Sequence, residues 1–297
     1  MSPGLFLPRL WLMALLGCSS FQTLPTEAQT QPVTADSNAA QESLPGFSSD
    51  GELQARLGAW LPTDALLVGE QHDAIEHQAL QARIVSALVS RGQLAALLLE
   101  MADSGRSTQG LPVSASEAEV RRALAWQDAA WPWASYGPAV MRAVRAGIPV
   151  LGANLPRTEM AVHMADNALD SRLPPPDWQA QQQAIRDGHC GLLPEGQMVP
   201  MARIQVGRDV RMAQVVTEAA RAARPGQAVM LISGSAHADK ALGVPRHVPA
   251  WLRVTAVRLQ AGGGAFAGEQ FDSVLTTPPV PAQDHCAKLR QQFAPRS

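Results

Sequence analysis

The sequence predicts an α/β fold with a mainly parallel β-sheet, helices on both faces of the sheet and a helical insertion. Two observations lead to this class. Short apolar runs recur along the chain without polar alternation, as is typical of strands that are covered on both faces. Segments with helical spacing separate these runs, and this alternation of strand and helix favours parallel pairing.

Six segments are predicted as strands. Four continuous apolar runs are expected in the buried part of the sheet, at residues 65–69, 94–100, 148–154 and 228–234. Residues 252–259 alternate between apolar and polar side chains, which favours a position nearer an edge. Residues 271–275 are predicted as a last short strand.

A helix is predicted between the first two strands. Leu80, Ile84 and Leu88 recur at a spacing that places them on one helical face. Asp73 and Glu76 have the outline of a capping box at the start of this helix.

A helical insertion is predicted at about residues 158–217, because this segment has no strand signal and is rich in Gln, Met and Ala. We interpret residues 47–297 as one large domain. A domain of that length can bury a substantial core.

The amino terminus has the pattern of a secretory signal. Arg9 precedes a short apolar stretch, residues 10–17, which is well under the roughly 20 residues that span a bilayer. The sequence "LLGC" resembles a bacterial lipobox, so we expect a lipoprotein signal peptide at residues 1–17 and lipidation of Cys18 by acyl chains such as palmitate. Ser19 follows the cysteine, which favours the outer membrane, with the domain facing the periplasm.

Residues 18–46 are predicted to form a disordered tether behind the lipidated cysteine. They contain many Gln, Thr, Ser, Ala and Pro and few large apolar side chains, so they cannot bury enough surface to offset their ordering entropy. A coil of this length has an end-to-end distance of roughly 30 Å. The domain could therefore stand away from the membrane to which it is attached.

The net charge and the cysteine content give expectations about binding partners and about a disulfide. The net charge of −2 does not favour nucleic acid as a partner. Lipidation of Cys18 leaves Cys190 and Cys286 as an even pair, for which we predict a disulfide in an exported protein. Two unpaired thiols are the alternative.

Polar side chains follow four of the predicted strands, at the edge where parallel α/β sheets bind ligands. Two strands end in the same Gly-x-x-His pattern, in "GEQH" and "GSAH". We therefore predict one polar pocket beyond the strand ends, formed by Glu70, His72, Glu100 and His237, with Asn154 and Arg157 nearby.

Several blocks of the sequence resemble the ChaN family of bacterial haem-binding lipoproteins. They are "LLVGEQHD", "LLLEM", "YGPAVMRAVRAGIPVLGANLPR", "GRDVRMAQVV" and "LISGSAHADKALGVPRHV". The family is grouped with Tiki-type proteases and erythromycin-esterase-like hydrolases. The resemblance implies an α/β fold, a location in the cell envelope and a role in haem or iron acquisition. A haem receptor or transporter and a second copy of the chain are the protein partners to consider.

The first functional hypothesis is a haem-binding protein. Tyr136, the chain's one tyrosine, is the predicted iron ligand, with His189 as the next candidate. Met198, Met201 and Met212 are further candidates, although methionines at such spacings are typical of cores. The neighbouring tryptophans could cover a porphyrin or could simply pack over a helix end: Trp126, Trp131 and Trp133. Cations for the propionates would be Lys240, Arg157 and Arg208.

The second hypothesis is a hydrolase in which Glu70, His72, Glu100 and His237 bind a metal ion or activate a water molecule. No G-x-S-x-G nucleophile motif occurs, so a serine mechanism is not indicated. An anchored scaffold with a vestigial site is the third hypothesis. The resemblance favours a binding protein over an enzyme.

Overall fold

The computed structural model describes residues 50–263 and 270–293. The predicted signal peptide, the lipidation at Cys18 and the tether lie outside these residues. Within the described ranges, no helix has both the length and the apolar character needed to cross a membrane.

The described residues form nine α-helices and six strands, with short 3-10 turns between some of them. The helices are α1 (Asp50–Trp60), α2 (Ile75–Ser90), α3 (Glu117–Ala123), α4 (Trp133–Arg145), α5 (Met160–Ala165), α6 (Pro175–Gly188), α7 (Glu195–Ala222), α8 (Ser235–Ala238) and α9 (His285–Phe293). The strands are β1 (Ala65–Glu70), β2 (Leu94–Asp103), β3 (Val150–Asn154), β4 (Ala228–Gly234), β5 (Val254–Ala261) and β6 (Ser273–Thr277).

The six strands form one sheet in the order β3-β2-β4-β1-β5-β6, and every neighbouring pair is parallel. Every residue of the central strands β1 and β4 is buried, as expected of strands covered on both faces. The alternating segment forms β5, which pairs with the edge strand β6. The predicted fold class is confirmed.

Two apolar layers cover the sheet. Successive side chains of a strand point to opposite faces, so Leu66 joins the layer that contains α2 and α4, whereas Leu67 joins the layer that contains α7. The predicted apolar face of α2, including Leu80 and Ile84, is buried in the first layer. Met212 of α7 is buried in the second layer.

The predicted capping box at the start of α2 does not form. The N-cap is Ala74, and no side chain caps the helix there. A capping box does form at α3, where the Ser116 hydroxyl accepts from the backbone N–H of Glu119 and the Glu119 carboxylate accepts from the backbone N–H of Ser116. The sequence pattern at Asp73 was therefore misleading, because that residue lies in the loop that leaves β1.

The segment between β3 and β4 is helical throughout, apart from its connecting turns. Its last helix, α7, packs on the sheet and leads into β4, so this segment also forms the crossover between two parallel strands. Cys190, at the end of α6, forms a disulfide with Cys286 of α9, and their Cα atoms are 5.7 Å apart. The disulfide joins the helical segment to the carboxyl-terminal part of the chain.

Candidate functional site

Four side chains converge beyond the carboxyl ends of β1, β2 and β4. Glu70 ends β1, His72 follows it in the next loop, Glu100 lies on β2 and His237 lies on α8, directly after β4. The Nδ1 atom of His72 lies 2.8 Å from Glu70 Oε1, and the Nε2 atom of His237 lies 3.4 Å from Glu100 Oε1. The parallel sheet thus brings together the residues that the two Gly-x-x-His patterns supply.

Glu70 is buried and fully hydrogen-bonded. Its Oε1 atom accepts from His72 Nδ1 at 2.8 Å and from the Tyr136 hydroxyl at 2.6 Å. Its Oε2 atom accepts from Gln78 Nε2 at 2.8 Å. Three donors therefore fix the position of one carboxylate, which in turn orients the imidazole of His72.

Glu100 is the central carboxylate of the site. Its Oε2 atom accepts from the backbone N–H of Gly234 at 2.7 Å, and Arg208 lies 3.9 Å from its Oε1 atom. Burial alone would raise the pKa of Glu100, but the positive charges of His237, His72 and Arg208 hold it well below its usual value. Glu100 is therefore an anion in the folded protein.

His237 is held as a cation between two carboxylates. Its Nδ1 atom donates to Asp209 Oδ1 at 2.6 Å, on the opposite side of the ring from Glu100. Burial would lower the pKa of His237, but Glu100 and Asp209 outweigh burial and raise it to about 9. Burial also raises the pKa of Asp209 to about 6, although the charge of His237 acts against that increase. With both ring nitrogens occupied, His237 is a structural cation rather than a base.

His72 is the member of the set that reaches solvent, with a side chain 42% exposed. Its Nε2 atom is 4.0 Å from Glu100 Oε2, and the edge of its ring meets Trp131 at a centroid distance of 4.9 Å. Burial acts to lower the pKa of His72, but the hydrogen bond to Glu70 and the charges of the two glutamates raise it above its usual value. His72 is therefore the group through which the site can act on a bound molecule.

The two glycines of the Gly-x-x-His patterns allow the two loops to approach each other. A Cβ atom on Gly69 would lie 2.8 Å from the Cα atom of Ser235, and one on Gly234 would lie 2.9 Å from His72 Nε2. The glycines are required for close packing between adjacent loops, not only for a tight exit from each strand. This packing explains why the pattern occurs twice.

Tyr136 contributes to the same site from α4, but its hydroxyl faces the interior. The residue is 2% exposed, and its hydroxyl donates to Glu70. Burial and the Glu70 charge raise the pKa of Tyr136 far above its usual value. An iron atom could bind this oxygen only if the hydrogen bond were broken and the ring moved towards solvent.

The neighbouring tryptophans have structural contacts. Trp126 donates its indole N–H to the carbonyl of Trp131, and Trp133 donates to Glu117. The rings of Trp126 and Trp131 lie 5.9 and 6.0 Å from that of Tyr136. They pack around the tyrosine.

The remaining candidates for haem binding are dispersed. His189 is half-buried at the end of α6, and its Nδ1 atom donates to the Ile185 carbonyl at 2.8 Å. Lys240 forms an ion pair of 2.6 Å with Asp272, which precedes β6 and therefore lies near the amino end of that strand. Arg157 is exposed and follows β3. The candidate methionines are buried in apolar clusters: Met198, Met201 and Met212.

Sequence analysis missed Asp209 and Gln78 as members of the site. Asp209 lies on α7 in phase with the buried positions Ala202, Val206 and Ala213. A charged residue in an apolar helical stripe is the signal that could have identified it. Gln78 is likewise a buried polar residue on α2, and the side-chain amide of Gln205 lies 3.2 Å from His237 Nδ1.

The arrangement is suited to acid–base chemistry. Across the described parts of the chain, no group of three or more His, Cys, Asp or Glu side chains is placed to hold a metal ion. The imidazole of His72, backed by the Glu70 carboxylate, has the arrangement of a general base. Ser233 is fully buried and Ser235 donates to the Glu70 carbonyl, so neither presents a nucleophile.

Comparison with solved structures gives the fold. ChaN of Campylobacter jejuni, whose structure is described as showing cofacial haem binding, is 24% identical and has a TM-score of 0.58, over 76% of this chain and 91% of that one. The type III effector HopBA1 is 18% identical, with a TM-score of 0.46 over 76% and 92%. A mutant of erythromycin esterase EreC in its open conformation is 15% identical, with a TM-score of 0.44 over 81% and 82%. No curated protein matches the sequence.

The family model described as haem-binding uptake, Tiki superfamily, ChaN matches residues 57–248. That range extends from α1 past the second Gly-x-x-His loop and includes every residue of the polar site. The chain belongs to the ChaN family of the Tiki superfamily.

Proposed function

We propose that this chain is a haem-binding protein of the cell envelope, anchored by lipid at Cys18, that takes part in haem or iron acquisition. The observation that carries the proposal is the match of residues 57–248 to the haem-binding family. The lipobox-like "LLGC" supports the anchor, and Ser19 after the cysteine favours an outer-membrane position with the domain facing the periplasm. A haem receptor or transporter would be its partner, and the chain could act as a homodimer.

The polar site is a poor match for a porphyrin. Haem needs an axial donor and an apolar surface for its ring. Glu100 and His237 are buried and paired with each other, and Glu70 is buried and accepts three hydrogen bonds. The raised pKa of His72 favours the cation, which cannot bind iron. The Tyr136 hydroxyl faces Glu70.

His189 in the helical insertion is a better candidate for the axial donor that haem needs. Because a carbonyl oxygen can only accept, the proton of the neutral ring lies on Nδ1, and the lone pair of Nε2 is available to iron. A methionine-rich apolar cluster lies beside it: Leu193, Met198, Met201 and Ile204, with Met160, Met164 and Ile185 packed against them. We therefore propose His189 as the axial ligand, where it would supply a neutral nitrogen donor to haem iron. Arg157 and Lys240 remain proposed partners for the propionates, and Lys240 would have to leave its ion pair with Asp272.

Hemin titration of the purified chain tests this proposal. His189→Ala should weaken hemin binding by at least about tenfold, a loss of about 1.4 kcal/mol, and change the Soret band. His163→Ala is the matched control, because His163 Nδ1 also donates to the carbonyl four residues earlier, but its ring packs on Gly207. If both variants bind hemin as the unmodified chain does, His189 is not the ligand. If the unmodified chain does not bind hemin, the proposed function fails.

A second candidate function, hydrolysis without a metal ion, is favoured by the geometry of one pair. His72 Nδ1 lies 2.8 Å from Glu70, and its partly exposed ring can accept a proton from water through Nε2. Because the neutral ring is the base and its pKa is raised, the rate should increase as the pH rises above 6.5. His72→Ala should lower hydrolysis of a nitrophenyl ester by about 10²–10⁴-fold and leave hemin affinity unchanged. An equal rate in that variant would exclude this activity.

A further inference from the structure

The carboxyl-terminal part of the chain crosses the surface between the polar site and the helical insertion. We define the carboxyl-terminal strap as residues 278–293. It leaves the sheet after Thr277. The Thr277 hydroxyl accepts a hydrogen bond of 3.0 Å from His77 Nε2. The direction of this bond follows because His77 Nδ1 already accepts from the backbone N–H of Gln71, so the ring proton lies on Nε2. The strap runs without regular structure to residue 284 and ends in α9.

Within the described residues, α9 makes two polar or covalent connections to the rest of the protein. His285 Nε2 lies 3.7 Å from Asp73 Oδ2, next to His72, and Cys286 is bonded to Cys190. The other polar contacts of the strap are internal, such as those of Lys288 with Gln283 and of Arg290 with Asp284.

Packing contributes only in part to these connections. Residues 281–285 are exposed, and among the α9 side chains that the structure describes, Cys286, Ala287 and Leu289 are half-buried and none is fully buried. The side chain of His285 is 66% exposed, so its ion pair with Asp73 is screened by solvent and weak. Among the described contacts of α9, the disulfide is therefore the strongest attachment to the rest of the protein.

The disulfide sets an upper limit on the distance between two histidines. Both cysteines follow a histidine, His189 before Cys190 and His285 before Cys286. The cysteine Cα atoms are 5.7 Å apart, and neighbouring Cα atoms in a chain are about 3.8 Å apart, so the Cα atoms of the two histidines lie within about 13 Å. The strap thus joins the loop that carries His72 to the turn that carries His189.

We propose that the strap is a redox-controlled cover for the ligand site. The disulfide holds α9 between the His72 loop and the end of α6, and reduction releases it and opens the approach to His189. The inference rests on the proposed haem-binding function for its purpose, but release of the strap does not depend on haem.

The chemical step needs a dithiol reductant. Its thiolate attacks one sulfur, the bond between Cys190 and Cys286 breaks, and the two cysteine sulfurs together gain two electrons and two protons. The reductant loses the same electrons and protons and becomes a disulfide. Oxidation by a disulfide-donating protein reverses the step and closes the strap.

Hydrogen exchange of the full chain, followed by mass spectrometry, tests the release. Adding a dithiol, or replacing both cysteines by serine (Cys190→Ser with Cys286→Ser), should raise exchange at least about tenfold in residues 285–293 and, to a lesser extent, in residues 71–75 and 185–193. Exchange in the central strands β1 and β4 should not change. Lys288→Ala is the matched control, because it alters α9 but keeps the disulfide. Unchanged protection of residues 285–293 after reduction would overturn the proposal.

The rate of hemin association tests whether release of the strap opens the ligand site. The double serine variant should bind hemin several-fold faster than the oxidised chain, and it has no thiolate at these positions to bind iron. Faster exchange with an equal hemin association rate would overturn the cover function while leaving haem binding intact. If neither protein binds hemin, the proposed haem function fails, and the exchange result alone decides whether the strap is released.

Discussion

The carboxylate of Glu100 lies between two imidazoles, 3.4 Å from Nε2 of His237 and 4.0 Å from Nε2 of His72. Each imidazole has a second carboxylate on its other nitrogen, Asp209 for His237 and Glu70 for His72. The site is therefore a row of alternating carboxylates and imidazoles. The carboxylates at its two ends, Asp209 on α7 and Glu70 on β1, are buried, and the row reaches solvent at His72.

The cation at His237 makes folding stability depend on pH. Because its pKa is raised from 6.5 to about 9, its contribution is present in full below pH 6.5 and is lost as the pH rises through about 9. We expect a loss of up to about 3 kcal/mol in the free energy of unfolding over this range, at about 1.4 kcal/mol per pH unit. Urea denaturation at several pH values measures it.

His237→Gln should remove most of this pH dependence, although the variant will be less stable at every pH. His247→Gln is the matched control. Burial and the charges of Arg172 and Arg246 lower the pKa of His247 to about 4, so that ring is neutral throughout the range. A slope that persists in His237→Gln, or disappears in His247→Gln, would contradict the assignment.

The sequence was sufficient to predict the strands and the edge at which the site forms. Buried parallel strands give continuous apolar runs, and their carboxyl ends meet at one edge, so Glu70, His72, Glu100 and His237 could be placed together before any coordinates were known. This inference requires that the strands belong to one sheet and that the loops are short. It can be made for each residue that lies at the end of a strand or directly after it.

Residues supplied by helices could not be placed in the same way. Asp209 reaches His237 because α7 crosses the sheet edge at a particular rotation, and the sequence does not give that rotation. Tyr136 was singled out as the predicted iron ligand, but nothing in its sequence context shows that α4 turns its hydroxyl towards Glu70. Both contacts depend on how a helix packs against the sheet.

Close packing at Gly234 predicts a strong effect of a single methyl group. In Gly234→Ala the new Cβ atom would lie 2.9 Å from His72 Nε2, so the imidazole must move. We expect a loss of about 1–3 kcal/mol in the free energy of unfolding and a changed NMR signal from the His72 ring. Gly196→Ala is the control, since the space around Gly196 on α7 is open. Equal stability and an unchanged His72 signal in Gly234→Ala would disprove the close contact.

The disulfide should stabilise the folded chain as well as hold the strap. It joins residues 96 positions apart, and the chain-entropy model gives about 4–5 kcal/mol for a loop of that size. The double serine variant should unfold at a lower urea concentration than the oxidised chain. A dithiol should lower the midpoint of the unmodified chain and leave that of the variant unchanged. The same midpoint for all samples would show that the loop is not constrained in the unfolded state.

The orientation of Tyr136 predicts that its phenol stays neutral in the folded protein. Burial and the Glu70 carboxylate both oppose ionisation and raise its pKa. Tyr136 is the chain's one tyrosine, so the ultraviolet absorbance of tyrosinate reports on this residue alone. On titration with alkali, we expect that absorbance to appear only as the protein unfolds. A transition in the folded protein near the usual tyrosine pKa would show that the hydroxyl is accessible.

The variant Tyr136→Phe tests the role of the Tyr136 hydroxyl directly, because it removes the oxygen and keeps the ring among the tryptophans. Loss of a hydrogen bond to a charged group should cost about 1.5–3 kcal/mol of folding stability. If His189 is the ligand, the hemin spectrum of this variant should match that of the unmodified chain. Loss of a phenolate–iron charge-transfer band would instead show that Tyr136 leaves Glu70 when haem binds. That result would restore the tyrosine as the ligand, and His189→Ala would then have little effect on hemin affinity.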